Sequence, residues 1–109
     1  MIIEKALIMN IGKTANDFNL TKEMVLNSIE SFKNKPIIYN KQQELKHCTE
    51  DIVIGFILEK EVKVTDLEVF ADIFVFDEYK NLWDGKYNNW SIQLSDSENK
   101  FQLLSIEVF

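Results

Sequence analysis

A chain of 109 residues with 46% hydrophobic and 12% aromatic side chains, only three Gly and one Pro, has apolar material for one core, which excludes extended disorder. Its single cysteine, Cys48, excludes an internal disulfide, and no apolar run reaches the ~18 residues of a membrane span. The net charge of -6, carried without any arginine, argues against direct nucleic-acid binding, because arginine is the side chain that grips phosphate and guanine in two-pronged fashion.

In chain order, Met1 to Ile11 is rich in Ile, Leu and Met and ends at Gly12, which suits an opening strand. Asn16, Asp17 and Asn19 make a polar connector, and Thr21 is placed to cap a helix. Over Lys22 to Phe32 the apolar residues Val25, Leu26, Ile29 and Phe32 recur at helical spacing. That helix stops at Asn34-Lys35-Pro36, because Pro36 disfavours helical geometry in the residue before it.

Pro36 to Tyr39 reads as a short strand, followed by a polar excursion over Asn40 to Glu50 that holds the only His and the only Cys. From Asp51 the pattern turns to period two. Ile52 to Leu58 is an apolar strand with Gly55 inside it, and Glu61 to Val64 continues or re-enters the sheet. Thr65-Asp66 supplies a turn. In Leu67 to Phe76 the odd row Leu67, Val69, Ala71, Ile73 and Val75 is wholly apolar. The even row mixes Phe70, Phe74 and Phe76 with Glu68 and Asp72, so one face is expected in the core and the other partly covered.

Asp77 to Tyr87 contains the turn signal Asp84-Gly85 and is expected to form a short helix or lid. Trp90, Ile92 and Leu94 alternate with Ser91, Gln93 and Ser95, the turn Asp96-Ser97-Glu98-Asn99 follows, and Phe101 to Phe109 returns as a last strand. The expected fold is a single α+β domain over residues 1–109, with one main α-helix near the N-terminus. Its mainly antiparallel sheet of about six strands is expected to be strongly coiled or closed into a small barrel.

Two stretches of this order resemble the prohead protease family encoded in capsid operons of tailed bacteriophages. The first runs from Leu20-Thr21-Lys22-Glu23 through a helix to Ser31-Phe32-Lys33-Asn34-Lys35-Pro36-Ile37-Ile38, then a polar segment with His47 and the strand Ile54-Gly55-Phe56-Ile57. The second joins the strand Leu67 to Phe76, a loop, Ser91 on a new strand, and Ser105-Ile106-Glu107-Val108. The resemblance implies a herpesvirus-protease-like barrel with Ser91 as nucleophile, His47 as general base and Glu107 as the group that orients it. A hydroxyl is a poor nucleophile unless a base lies within hydrogen-bond reach. Here His47 sits in a polar stretch and Ser91 is followed by Ile-Gln where active relatives have a Gly nearby, so a non-catalytic descendant is expected.

Read from the residues alone, His47 and Cys48 cannot complete a four-ligand zinc site, and no cofactor or metal is expected. Ser91 and Glu107 read equally as ordinary polar positions on wet strand faces. Tyr79, Trp83, Tyr87 and Trp90 are the candidate partner-binding aromatics, with exposed strand edges beside them.

The expected role is a phage or prophage accessory protein of the virion or procapsid, binding a capsid, portal or scaffold protein and able to self-associate. A serine peptidase using Ser91 and His47 is one alternative. An acidic inhibitor imitating nucleic acid through Asp66, Glu68, Asp72, Asp77, Glu78 and Asp84 is the other. With neither a membrane span nor a secretory leader, the chain is expected in the host cytoplasm or the virion.

Overall fold

The computed structural model describes residues 1–13, 18–39, 52–83, 88–94 and 99–108. Its strands are β1 (Ile2–Asn10), β2 (Gly12–Lys13), β3 (Asn19–Leu20), β4 (Pro36–Tyr39), β5 (Ile52–Ile57), β6 (Lys63–Val64), β7 (Glu68–Val75), β8 (Asn88–Leu94) and β9 (Phe101–Val108). The helix α1 covers Lys22–Ser28 and runs into a 3-10 turn over Ile29–Phe32; a second 3-10 segment spans Asp77–Leu82. The main sheet has the order β1-β7-β5-β4-β9-β8 with β6 added beside β7, and β2 and β3 form a separate small ribbon.

This corrects the expected architecture in two respects. The sheet is neither strongly coiled nor closed: β1 and β8 are its two ends, and β4 pairs with β9 in parallel while the other pairs are antiparallel. The main helix has only seven residues. Period-two alternation reveals which face of a strand is buried but not which strand lies beside it, so the β8–β9 hairpin docking on β4 left no local trace. A closed six-stranded barrel would also fill its interior from its own strands. Here Met24, Val25 and Phe32 of the helical segment supply part of the core instead, so the sheet is covered by the helix.

Local chemistry accounts for the helix. Thr21 adopts an extended conformation and its Oγ1 accepts the Met24 N–H at 3.2 Å, which satisfies one of the amides a helix start leaves open. At the other end Ser28 and Ser31 turn their hydroxyls back to the carbonyls of Met24 and Ser28, both at 2.7 Å, and the backbone tightens to 3-10 geometry. Asn34 follows at φ 62, a left-handed position that asparagine tolerates, and Pro36 opens β4.

The odd row of β7 lines the core as expected, with Val69, Ala71, Ile73 and Val75 all buried, whereas Leu67 lies before the strand and is 70% exposed. Sharing the core with it are Ile8 and Met9 of β1, Ile37, Ile54 and Ile57, and Phe101, Leu103, Ile106 and Val108 of β9. Two bulges bend β1, one at Glu4 and Lys5 and one at Ile8, which lets both Ile8 and Met9 turn inward. Gly55 is required by close approach: a Cβ there would collide with the Phe74 carbonyl oxygen of β7.

Candidate functional site

The register of the last hairpin decides where its polar residues go. Ser91 pairs with Ser105, but Ile92 pairs with Leu103, so Leu104 is an extra residue that bulges out and is exposed. Beyond the bulge the facing alternates anew. Ile106 and Val108 join Phe101 and Leu103 in the core, and Ser105 and Glu107 turn to the opposite face with Ser91.

Two of the three residues of the implied catalytic set therefore share one sheet face. Ser91 is half-buried on β8, opposite Ser105, and Glu107 lies two residues further along β9. Glu107 is only 3% exposed, which corrects its reading as a wet strand position. Over Ile106 to Val108 strand β9 is flanked by β4 and β8 on its two edges, so it is a central strand here. Ser105 is as deeply buried, and among the described residues its Oγ has no hydrogen-bond partner. His47 and Cys48 lie outside the described residues. The described residues thus unite a hydroxyl and a carboxylate without the base that nucleophilic catalysis needs.

Three of the four expected partner-binding aromatics lie among the described residues. Tyr79, Trp83 and Trp90 are half-buried and pack against the core, and Trp90 meets Phe18 edge-on with ring centres 6.2 Å apart. Tyr87 lies outside the described residues. An aromatic ring with one polar end anchors well at the rim of a core, which is the use made of these three.

Among the described residues, an exposed apolar patch lies on the outer face of the sheet. Phe56 stacks on Phe74 with centres 5.4 Å apart, and Phe76 meets both rings edge-on at 6.4 and 5.6 Å. Ile2 pairs with Phe74 across β1 and β7 and is 56% exposed, while Val53, 50% exposed, pairs with Ile38 on β4. The even-row phenylalanines of β7 were legible as a partly covered face. Val53 was not, because the bulge at Ile54 reverses the facing of the start of β5 relative to simple alternation.

The acids of the imitation reading are dispersed and largely answered by nearby cations. Asp66 lies 3.0 Å from Lys22 Nζ, Asp77 lies 3.2 Å from the Met1 amino group, and Asp72 accepts the Lys5 N–H at 3.0 Å and faces Lys60 Nζ at 3.8 Å. Asp84 lies outside the described residues. Among the described residues no cluster of three or more His, Cys, Asp or Glu is arranged to hold a metal, and no helix is long and apolar enough to cross a membrane.

No family model, no curated protein and no solved structure matches this chain.

Proposed function

We propose that this chain is a non-catalytic protein-binding module whose adhesive surface is the outer sheet face built from Ile2, Val53, Phe56, Phe74 and Phe76. The observation that carries this reading is the three-phenylalanine cluster on a solvent-facing sheet surface, flanked by two half-exposed aliphatic residues. A contiguous apolar patch of this kind on a soluble surface is the usual mark of a protein interface. Aromatic side chains supply much of the binding energy in such patches at small entropic cost.

The partner class we propose is a capsid, portal or scaffold protein of a tailed phage. Support for it is the resemblance of the Leu20 to Ile57 and Leu67 to Val108 stretches to capsid-operon proteins. The catalytic half of that likeness is not carried forward, because the barrel that would position its residues is replaced by an open mixed sheet.

The test is co-sedimentation of the purified chain with purified capsid, portal and scaffold proteins, alongside the double variant Val53→Glu/Phe76→Glu. Association by the unaltered chain and its loss in the double variant, with unfolding midpoints matched, is the expected result. Association that survives both substitutions, or none with any of the three protein types, overturns the reading. Sedimentation of the chain alone reports whether a second copy takes the same face.

A further inference from the structure

Beyond the aromatic patch, the same outer row of β7 continues past Asp72 to Phe70, and there the surface changes character. A groove of about 530 Å³ is lined by Lys5, Lys60, Glu61, Lys63, Phe70 and Asp72. That volume falls within the ~300–1,000 Å³ typical of small-molecule sites. Three lysines converge on it although the chain as a whole carries a net charge of -6.

The three lysines are not equivalent. Lys60 is drawn toward Asp72, whose other oxygen accepts the Lys5 backbone N–H at 3.0 Å. That hydrogen bond holds Lys5 at φ 53, a left-handed conformation that lysine rarely adopts, at the tip of the first β1 bulge. Among the described residues Lys5 and Lys63 have no carboxylate partner. Phe70 lies between them, paired with Lys63 of β6 on one side and with Leu7 of β1 on the other.

Two uncommitted ammonium groups on either side of a half-buried aromatic ring specify a ligand with an anionic group and a planar apolar part. Lysine binds phosphate as a point charge, without the two-pronged contact that arginine would add, and the chain has no arginine. A long polyanion would be repelled by the net charge of the whole chain, but a mononucleotide meets only the local field of the groove. We propose that this groove binds a mononucleotide, with its phosphate between Lys5 and Lys63 and its base against Phe70. Asp72 is a positioning residue that fixes the Lys5 backbone.

The experiment is a titration of the isotopically labelled full chain, followed by amide nuclear magnetic resonance shifts, with AMP, inorganic phosphate and a 5′-phosphorylated single-stranded oligonucleotide. AMP is expected to shift the amides of Lys5, Lys63 and Phe70 saturably in the millimolar range or below, and more tightly than inorganic phosphate. Tighter binding by AMP than by the oligonucleotide supports a free nucleotide as the ligand, and the reverse order overturns that assignment. Lys63 is exposed, so Lys63→Glu is expected to keep the fold and weaken AMP at least tenfold, while the same charge change at exposed Lys80, outside the groove, leaves it unchanged. Absence of saturable shifts with AMP, or equal weakening by Lys63→Glu and Lys80→Glu, overturns the proposal.

Discussion

Ser28 Oγ accepts the Phe101 amide proton at 2.9 Å while donating its own proton to the Met24 carbonyl at 2.7 Å, so one buried hydroxyl joins the end of α1 to the start of β9. Ser31 repeats the arrangement a turn later, taking the Leu103 N–H at 2.9 Å and donating to the Ser28 carbonyl. Strand β4 reaches β9 only from Ile106 onward, so the amides of Phe101 and Leu103 lack a strand on that edge. The two serines stand in for it.

Ser28→Ala leaves the Phe101 amide buried without an acceptor, which costs about 1–3 kcal/mol. Ser31→Ala costs less, because that site is only partly buried. Urea unfolding measures both: the midpoint falls in the order unaltered chain, Ser31→Ala, Ser28→Ala, with slopes unchanged. Equal midpoints for all three would mean that the helix is held on the sheet by apolar packing alone.

Gly55→Ala tests the closeness of β5 to β7. The added methyl meets the backbone oxygen of Phe74, which cannot swing aside as a flexible side chain would, so the two strands must separate. Overpacking of this kind costs about 1–3 kcal/mol, and backbone involvement places this case at the upper end. The effect comes from space and not from φ, so Gly55→Ser is expected to be as harmful as Gly55→Ala. A thermal melt of either variant unchanged from the parent would refute the close approach.

Asn34, at φ 62, ends the helical segment, and its own amide donates to the Ile57 carbonyl at 2.9 Å. Asn34→Ala is expected to lose about 1 kcal/mol, the cost of placing a Cβ in the left-handed region without asparagine's compensating local hydrogen bonding. Asn34→Gly is expected to match or exceed the parent in stability. Chemical denaturation of the pair gives the difference directly, and a loss in both variants would mean that the side chain matters more than the backbone.

The residues explain how far the sequence could be read. The apolar odd row of β7, the cap at Thr21 and the stop at Pro36 rest on interactions within a few positions, so their chemistry is written locally. Leu67 failed as a core residue because it lies just before β7, where the alternation no longer constrains it. Glu107 keeps the face opposite Ile106 and Val108 and is buried there, whereas Leu104 is exposed because a bulge makes it the extra residue of β9, and bulge positions leave no mark in alternating hydrophobicity. The same applies to Val53, which Ile54 pushes onto the outer face. The neighbours that make β9 central, β4 in parallel and β8 antiparallel, are nonlocal pairings. The lysine groove was invisible for the same reason, since Lys5 and Lys63 meet around Phe70 only when β1 and β6 flank β7.

Ser91 provides the decisive test of catalysis. It shares a sheet face with Glu107, but a serine hydroxyl attacks a carbonyl only when a base takes its proton, and a carboxylate on the same hairpin is not the imidazole that the implied set requires. Half-buried opposite Ser105, it also lies within strand β8 and not at a sharp strand-to-helix turn that would thrust the hydroxyl outward. The chain is therefore expected to resist labelling by a fluorophosphonate probe, which marks activated serines, and Ser91→Ala is expected to leave the unfolding midpoint within about 0.5 kcal/mol of the parent. Labelling of the unaltered chain that disappears in both Ser91→Ala and His47→Ala would reinstate the peptidase, and would require the segment carrying His47 to lie over this face of β8 and β9.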